Sequence, residues 1–493
     1  MTMHTFSNYY DGRDVAALSG GVFETINPTT GQPWGIFALS AAADVDAAAR
    51  AADLAFNGEW GRISHTRRGR LLMQLGDRIW ENAERLAALD TAQNRKIYVE
   101  VVAQIKAMRD WMYYYGGLAH KIEGAVIPLD QTSVLNYTLR EALGVVGVIV
   151  PWNSPIFPTV MSIAPALAAG NTVIIKPSEV TSASAIELAK LAIEAGLPKG
   201  VLNVLTGLRE AGEALVAHPA VQKICFTGSD AAGRAIAARA GERLVSCTLE
   251  LGGKSPNIFF EDVDLDQAET GALAGIFAAT GQTCIAGSRA YVHTSIYEAL
   301  VERVVKRARA IRVGDPMASH TQMGPVSTEA QLRKDETMVQ RAIDDGAELL
   351  CGGDRVTVPG CEGGFFYQPT ILQNSAPSSE LMQQEVFGPV LTITPFSDED
   401  DIVAMANGTI YGLGAGIWTR DIKRAHQLAR RIKAGTVWIN TYRAMNYASP
   451  FGGMKASGIG RQNGIEAINQ YLQTKSVWCE LGEAIADPFI MKV

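Results

Sequence analysis

Residues 142–175 read ALGVVGVIVPWNSPIFPTVMSIAPALAAGNTVII and contain no charged side chain. The stretch is long enough to span a bilayer, but Pro151, Pro155, Pro158 and Pro165 would leave backbone groups unpaired in lipid. Its two ends instead predict buried strands, joined by a proline-rich turn and a helix. We therefore expect an α/β unit built on a parallel sheet rather than a membrane span.

The alternation of strand and helix continues on both sides of residue 250. Before it, we predict further strands at Val201–Leu205 and Lys223–Phe226, with helices at Ala183–Ala195 and Ala211–Ala217. In a sheet of this kind, ligands bind at the carboxyl ends of the strands. After it, a second mixed region runs to about residue 456. We predict strands there at Pro256–Phe260, Ala290–His293 and Leu391–Pro395, and a helix at Ser295–Ala310.

The two ends of the chain differ from this pattern. Apolar residues at three- and four-residue spacing predict an all-helical lead-in, with helices at Asp44–Phe56, Thr66–Leu86 and Ile97–Leu118. Ala125–Arg140 has extended character and predicts a hairpin. The tail from Tyr471 to Val493 is also extended, so these two segments are candidates for a sheet between subunits.

Composition narrows the class of protein. The 493 residues carry a net charge of −7 and include no basic block, so no nucleic-acid partner is expected. The six cysteines show neither CxxC pairs nor companion histidines, so we expect no metal site. The N-terminus lacks the apolar core of a secretory signal, and free thiols fit a reducing compartment. We expect a cytoplasmic enzyme.

Cys284 lies in the stretch GQTCIAG, residues 281–287, which follows an apolar run. A lone cysteine is most often a small buried hydrophobe. The small neighbours of Cys284 would let a substrate approach, and a helix N-terminus could lower the thiol pKa, as in nucleophilic cysteines. Cys284 is therefore a candidate nucleophile.

Glu250 and Asn153 are the other catalytic candidates. Glu250 is the one carboxylate of an apolar strand and precedes the pair Gly252-Gly253. Such a carboxylate is desolvated and suited to act as a base, although a surface position is the ordinary alternative. Asn153 lies between two prolines, where it either forms a turn or donates a hydrogen bond to a developing oxyanion.

No GxGxxG fingerprint is present, so a standard dinucleotide loop is not predicted. Two other strand ends are candidates for a nucleotide site. Lys176 and Glu179 place a cation and a carboxylate where a ribose could lie. Gly228 and Ser229 precede a predicted helix, so free backbone N–H groups could face a diphosphate.

Seven stretches resemble, in order, motifs of the aldehyde dehydrogenase superfamily, of the non-acylating, NAD(P)-dependent type. They are PWN (151–153), KPSE (176–179), FTGS (226–229), LELGGK (249–254), GQTCIAGSR (281–289), EVFGP (385–389) and PFGGMK (450–455). The resemblance implies that Cys284 attacks an aldehyde and that Asn153 and the Cys284 backbone N–H hold the oxyanion. It further implies that a hydride passes to NAD and that Glu250 activates the water that hydrolyses the thioester to a carboxylate.

The same resemblance assigns cofactor residues. It places Lys176 and Glu179 at the adenosine ribose, with Trp152 in that neighbourhood. It places Gly228 and Ser229 at the diphosphate, and the nicotinamide end beside Glu385 and Phe387. A carboxylate such as Glu179 accepts from both ribose hydroxyls and repels a 2′-phosphate, which favours NAD over NADP.

The chain departs from the family pattern at two places. Many members have glutamate after the GxGR that follows the Phe-Gly-Gly motif, as a relay partner for the base, but this chain has Gln462. Glu250 would then pass its proton to water or backbone. Ser154 and Met161 stand where several relatives have bulky aromatics, which suggests a wider pocket. Other candidate walls, equally explicable as ordinary core, are Phe157, Ile285, Met445 and Phe451.

Arg443 and the domain boundaries complete the expectations. Arg443 is either a solvated loop residue or an anchor for a substrate carboxylate. We expect a Rossmann-like NAD-binding domain (1–123 and 143–252), an α/β catalytic domain (253–456) and a small β oligomerisation element (124–142 and 470–493) in a homodimer or homotetramer. Two alternatives remain: a coenzyme A-acylating enzyme, which would not need Glu250, and a non-catalytic binding protein, which would not need the three catalytic candidates together.

Overall fold

The computed structural model describes residues 3–482 and residue 489. Its largest sheet, here the first sheet, has eight strands. In spatial order they are Gly458–Ile459, Ser246–Glu250, Val221–Thr227, Val145–Val150, Thr172–Pro177, Leu202–Val204, Asn8–Tyr10 and Arg13–Val15. The opening stretch therefore forms the strand, turn, helix and strand that its sequence predicts.

The order of strands in the first sheet creates a crevice at one edge. The chain runs outward from Val145–Val150 through two more strands, then returns to add Val221–Thr227 on the other side. These strands are parallel, so their carboxyl ends meet at one edge, where the strand order reverses and ligands bind. Thr227 is level with Glu250, and Val150 is level with Pro177.

The second sheet begins where the chain leaves the first. After Glu250, the chain crosses through two glycines and enters a seven-stranded sheet at Pro256. Only its outermost pair, Glu348–Cys351 with Thr370–Gln373, is antiparallel. The other strands, in spatial order, are Val390–Phe396, Arg289–His293, Pro256–Phe259, Gly414–Trp418 and Thr436–Ile439.

Helices cover both sheets. Ile156–Ala169 is almost wholly buried because it packs beneath the longer helix Tyr98–Leu118, so its apolar composition reflects a core position. No helix in the described ranges is long and apolar enough to cross a membrane. The remaining α-helices are Ala42–Asn57, Glu59–Arg62, His65–Glu81, Ala83–Asn94, Ala183–Glu194, Arg209–Ala217, Asp230–Glu242, Leu265–Ile276, Tyr297–Arg309, Glu329–Asp344, Glu380–Gln383, Glu399–Asn407, Ile422–Arg431 and Gly464–Asn469.

The lead-in is not all-helical, so that prediction is wrong. Short strands His4–Phe6, Val22–Asn27 and Gln32–Ala38 form a separate sheet. The turn between the last two strands contains Pro, Thr and Gly, which indicate a turn but do not contribute to helical periodicity. The predicted helix 66–86 is divided at Asn82, because its amide donates to the Arg78 carbonyl (2.9 Å) and ends the first helix.

The predicted hairpin is confirmed: Val126–Ile127 pairs antiparallel with Val134–Ala142. The tail strand Leu472–Glu480 pairs with the other edge of Val134–Ala142. These three strands form a further sheet, here the third sheet. Residues 483–488 and 490–493 of the predicted oligomerisation element lie outside the described residues. The role of this sheet between subunits, and the domain boundaries, stay predictions.

Candidate active site

A cavity of about 520 Å³ opens at the carboxyl edge of the first sheet, facing the second sheet. Every site residue predicted from the sequence lines it, except Lys176 and Glu179. The predicted residues in its wall are Trp152, Asn153, Ser154, Phe157, Met161, Gly228, Ser229, Glu250, Cys284, Ile285, Glu385, Phe387, Met445 and Phe451. Residues far apart in the chain therefore meet in one place.

The turn before Cys284 has an uncommon backbone. Ala279, Thr280 and Gly281 have φ values of +55°, +56° and +68°, a left-handed conformation that costs L residues energy. Thr280 Oγ1 donates to the Gly324 carbonyl (3.1 Å) and stabilises the turn. A Cβ on Gly281 would collide with the Gly388 carbonyl, so only glycine fits here.

Asn153 connects the two sheets. Its Nδ2 donates a 2.9 Å hydrogen bond to the carbonyl of Gln282, two residues before Cys284. Gln282 is itself held, because its Oε1 accepts from the Ser327 N–H (2.8 Å). An asparagine amide has two N–H donors, so one remains for a ligand beside the thiol.

The pKa of Cys284 is raised, to about 12, and not lowered. Burial is the main cause, and the nearby carboxylates Glu385 and Glu250 add to it. Cys284 does not lie at a helix N-terminus; it follows a helix and its 3₁₀ extension, Ala278–Gly281. The expectation of a helix-activated thiolate is therefore wrong, and the thiol needs a base to remove its proton.

Glu250 is buried at the end of its strand. Neither carboxylate oxygen has a partner that meets normal hydrogen-bond geometry in the described structure, although the Gly453 N–H lies close enough to lower the Glu250 pKa against the effect of burial. Burial raises its pKa well above the usual value, against the opposing charge of Arg461. Gln462 bonds to Ser162 (3.2 Å) rather than to Glu250. Such a desolvated carboxylate is chemically suited to accept a proton.

The cavity wall next to Glu250 is built on close backbone contacts. A Cβ on Gly253 would lie 2.5 Å from the Cys284 carbonyl. The Gly253 N–H donates to Glu385 (2.9 Å), and burial raises the pKa of Glu385 to about 7. The rings of Trp152 and Phe387 meet edge to face, with centroids 5.3 Å apart.

The nucleotide motifs differ in how well they match expectation. The Gly228 N–H donates to the Glu250 carbonyl (3.0 Å), so this one N–H is not free for a phosphate. The placement of Gly228 and Ser229 at the diphosphate stays a prediction. Ser229 caps the helix Asp230–Glu242 by accepting from the Ala232 N–H. Lys176 and Glu179 form a 3.6 Å ion pair outside the cavity wall, on the same edge of the sheet.

Several lining residues were not predicted. Lys96, Gln104, Met108 and Trp111 come from the helix Tyr98–Leu118 and the loop before it. Their helical spacing is that of ordinary packing residues, and nothing local indicates a cavity. Only the packing of that helix against Ile156–Ala169 brings them to the site.

Comparison with known proteins identifies the family of this chain. The model of the aldehyde dehydrogenase family matches residues 15–477. The chain is 42% identical over 497 residues to (Z)-2-((N-methylformamido)methylene)-5-hydroxybutyrolactone dehydrogenase of Acinetobacter baylyi, covering 99% of this chain and 100% of that protein. It is 42% identical over 478 residues to betaine aldehyde dehydrogenase of Brucella anthropi, covering 97% of this chain and 98% of that protein.

Solved structures agree as well. The NAD+ complex of aldehyde dehydrogenase from Bacillus cereus superposes with a TM-score of 0.95 at 40% identity, covering 97% of both chains. The structure of betaine aldehyde dehydrogenase of Staphylococcus aureus with NAD+ superposes with a TM-score of 0.95 at 34% identity, covering 97% of this chain and 95% of that one. The chain belongs to the aldehyde dehydrogenase family, an oxidoreductase family. The predicted family and α/β fold class are thus confirmed.

Replacing Gly281 with Ala should destabilise the protein more than the same change at Gly346. Both have left-handed φ, which costs alanine about 1–2 kcal/mol, but Gly346 has open space around it. Gly281→Ala adds overpacking of about 1–3 kcal/mol. Urea unfolding of both variants measures the difference, and equal midpoints would contradict the collision with Gly388.

Alkylation of Cys284 by iodoacetamide, without cofactor, should accelerate about tenfold per pH unit from about pH 7 to pH 9. The thiolate is the reactive form, and a pKa of about 12 keeps its fraction rising throughout that window. Mass spectrometry of the Cys284 peptide measures the rate, with the exposed Cys479 as internal comparison. A plateau below pH 9 would contradict the raised pKa.

Proposed function

We propose that this protein oxidises an aldehyde to a carboxylate with NAD, through a cysteine thiohemiacetal and a thioester. The observation that carries the proposal is the hydrogen bond from Asn153 to Gln282, which holds an amide donor beside Cys284 in a cavity that Glu250 also lines. A nucleophile, an oxyanion donor and a base in one cavity are the groups that acyl chemistry needs.

The first step is attack of the Cys284 sulfur on the aldehyde carbon. The thiol is protonated at neutral pH, so its proton must leave as the bond forms, and Glu250 is the unpartnered base in the same cavity. The carbonyl oxygen becomes negative and accepts hydrogen bonds from the free Asn153 N–H and the Cys284 backbone N–H. Losing one such donor typically costs on the order of a hundredfold or more in rate.

The residues at the cofactor end fit a dinucleotide. The helix Asp230–Glu242 begins at the cavity wall, where its N-terminus suits a diphosphate. The Glu179 carboxylate is half exposed and beside Lys176, which suits ribose hydroxyls and disfavours a 2′-phosphate. Trp152 lies nearby, with Glu385 and Phe387 toward the nicotinamide end. Bound NAD supplies the acceptor for the hydride that leaves the thiohemiacetal carbon.

Hydrolysis of the thioester completes the reaction. Once Glu250 has released the thiol proton to solvent, its carboxylate takes a proton from a water molecule and the water oxygen attacks the thioester carbon. The carbon–sulfur bond then breaks, and Glu250 gives its proton to the leaving Cys284 sulfur. A desolvated carboxylate without a hydrogen-bond partner of normal geometry has lone pairs available for that water. This same feature favours hydrolysis over transfer of the acyl group to coenzyme A.

The third sheet supports the proposal of a homodimer or homotetramer. Large apolar side chains remain exposed on its strands in the single chain, and such patches mark association surfaces. They are Val126, Ile127, Leu135, Leu139 and Trp478.

Cys284→Ala should abolish NADH formation while NAD binding persists. The variant lacks the sulfur that forms the thiohemiacetal, and Cys284 is not among the residues assigned to the nucleotide. Absorbance of NADH with a panel of aldehydes and calorimetry with NAD measure the two properties. Turnover near the wild-type rate would rule out the nucleophile assignment.

Glu250→Gln should slow the first turnover, because the amide cannot accept the Cys284 thiol proton, and should lower the steady-state rate further, because it cannot accept a proton from water. Glu261→Gln, at an exposed carboxylate, serves as control. Rapid-mixing absorbance measures the first turnover and the steady state. If hydrolysis of the thioester limits the rate and steady-state turnover is unchanged in Glu250→Gln, Glu250 does not activate the water. If the wild-type enzyme is active only with coenzyme A, the acylating alternative is favoured.

A further inference from the structure

Three cations line the cavity without an ion-pair partner among the described residues: Lys96, Lys334 and Arg443. Lys334 donates to the Glu385 backbone carbonyl (2.7 Å), and its charge acts on the Glu385 carboxylate. The other two are Lys96, before the helix Tyr98–Leu118, and Arg443, in the loop after the strand Thr436–Ile439. Within the described ranges, neither Lys96 nor Arg443 has a carboxylate within the 4.0 Å of an ion pair. Both side chains are partly exposed and line the cavity, so their charges are available to a ligand there.

Lys96 is held at the cavity by two neutral acceptors. Its Nζ donates to Gln104 Oε1 (3.0 Å) and to Ser154 Oγ (2.7 Å). An ammonium has three N–H donors, so one remains available. Ser154 directly follows Asn153, which places this cation on the same side of the cavity as the oxyanion donor.

Arg443 is positioned by anchors on both sides. Tyr442 donates its hydroxyl to the Ile285 carbonyl (3.0 Å), and Trp438 Nε1 donates to the Ala444 carbonyl (2.8 Å). Arg443 itself has a φ of +63°, a conformation that persists only where the surroundings enforce it. Its guanidinium makes one long hydrogen bond, to the Ala274 carbonyl (3.4 Å), and retains most of its five donors.

The charges of Lys96 and Arg443 are desolvated and act on each other. Burial, reinforced by Arg443, lowers the pKa of Lys96 to about 8, and burial also lowers the pKa of Arg443. Glu100 raises the pKa of both groups, and Asp90 raises the pKa of Lys96. Neither of these carboxylates lines the cavity. The positive potential of this part of the wall is therefore only partly compensated.

We propose that the cavity selects aldehydes that carry an anionic group, of which a carboxylate is the simplest, and that Arg443 and Lys96 bind that group. The proposal rests on the proposed aldehyde oxidation. Guanidinium and ammonium donors form charge-assisted hydrogen bonds with a carboxylate, strengthened where water is excluded. They also repel a cationic substrate, which distinguishes this cavity from one built for a quaternary ammonium aldehyde.

Aromatic side chains in the same wall raise the opposite possibility, because aromatic faces bind quaternary ammonium groups. Trp111 and Phe157 line the cavity, but their rings meet edge to face at 5.5 Å. Trp111 also packs on Tyr447 at 5.6 Å, and its Nε1 donates to Asn463 (2.8 Å). These rings contact one another, whereas Lys96 and Arg443 have no ion-pair partner among the described residues and are only partly compensated by Glu100 and Asp90, so the observations favour an anion.

Three benzaldehydes of similar shape test the charge preference. They carry at the para position a carboxylate, its methyl ester or a trimethylammonium group. For the wild-type enzyme with NAD, kcat/KM should be highest for the carboxylate and lowest for the cation. Arg443→Gln and Lys96→Gln should each lower the ratio of carboxylate to ester by about ten- to a hundredfold, the worth of a hydrogen bond to a charged group.

Two further variants separate charge from folding. Arg443→Lys keeps the charge and should recover part of the ratio, which a merely structural arginine would not do. Arg209→Gln removes an arginine whose side chain is 87% exposed and should leave the ratio unchanged. A wild-type enzyme that prefers the ester or the cation, or variants that leave the ratio unchanged, would overturn the anion proposal while aldehyde oxidation stands.

A binding measurement keeps the two proposals distinguishable if no aldehyde is oxidised. Calorimetry with NAD present compares terephthalate with benzoate, which differ by one carboxylate. Tighter binding of terephthalate by the wild type, lost in Arg443→Gln, would support the anion site even though the proposed reaction had failed. Equal binding of the two acids would overturn the anion site independently of turnover.

Discussion

The close approach of three backbone segments around Cys284 is the constraint on which the site depends. The loop before Cys284 passes against Gly388 on one side, and Gly253 meets the Cys284 carbonyl on another. Asn153 adds a hydrogen bond to Gln282 from the first sheet. Because the close approaches at Gly281 and Gly253 join backbone to backbone, they leave the loop that carries Cys284 little room to shift.

Desolvation explains most of the unusual chemistry in the cavity. The same burial raises the pKa values of Cys284, Glu250 and Glu385 and lowers those of Lys96 and Arg443, since it penalises whichever form is charged. Burial thus favours the neutral thiol of Cys284 and also the protonated carboxyl of Glu250, and it makes the Glu250 carboxylate a stronger base when that carboxylate forms.

The cavity wall carries charges of both signs. Glu250 and Glu385 line it together with Lys334, which donates to the Glu385 carbonyl (2.7 Å), while Lys96 and Arg443 come from the loop before the helix Tyr98–Leu118 and the loop after the strand Thr436–Ile439. A substrate with an aldehyde and an anion can satisfy both parts of the wall at once. The two relatives of equal identity carry different substrate names, so overall similarity indicates the class of reaction but not the substrate.

Local sequence determined much of the fold. The apolar, β-branched runs and the helices between them predicted the parallel strands and their order of appearance, because periodicity and turn chemistry are encoded by neighbouring residues. The seven motifs likewise indicated the family and the catalytic candidates. The left-handed turn at Ala279 depends on contacts distant in the chain, whereas the division of a helix at Asn82 comes from a local hydrogen bond to Arg78 that apolar periodicity does not report.

Only the tertiary structure decided the electrostatic character of the site. From the sequence, Cys284 was expected to have a lowered pKa, Gly228 a free N–H, and Arg443 was undecided between solvent and substrate. Lys96 carried no signal, because a lysine before a helix is ordinarily solvated. The charge state of a group depends on its burial and on neighbours distant in the chain, and those are properties of the packed molecule rather than of any stretch of sequence.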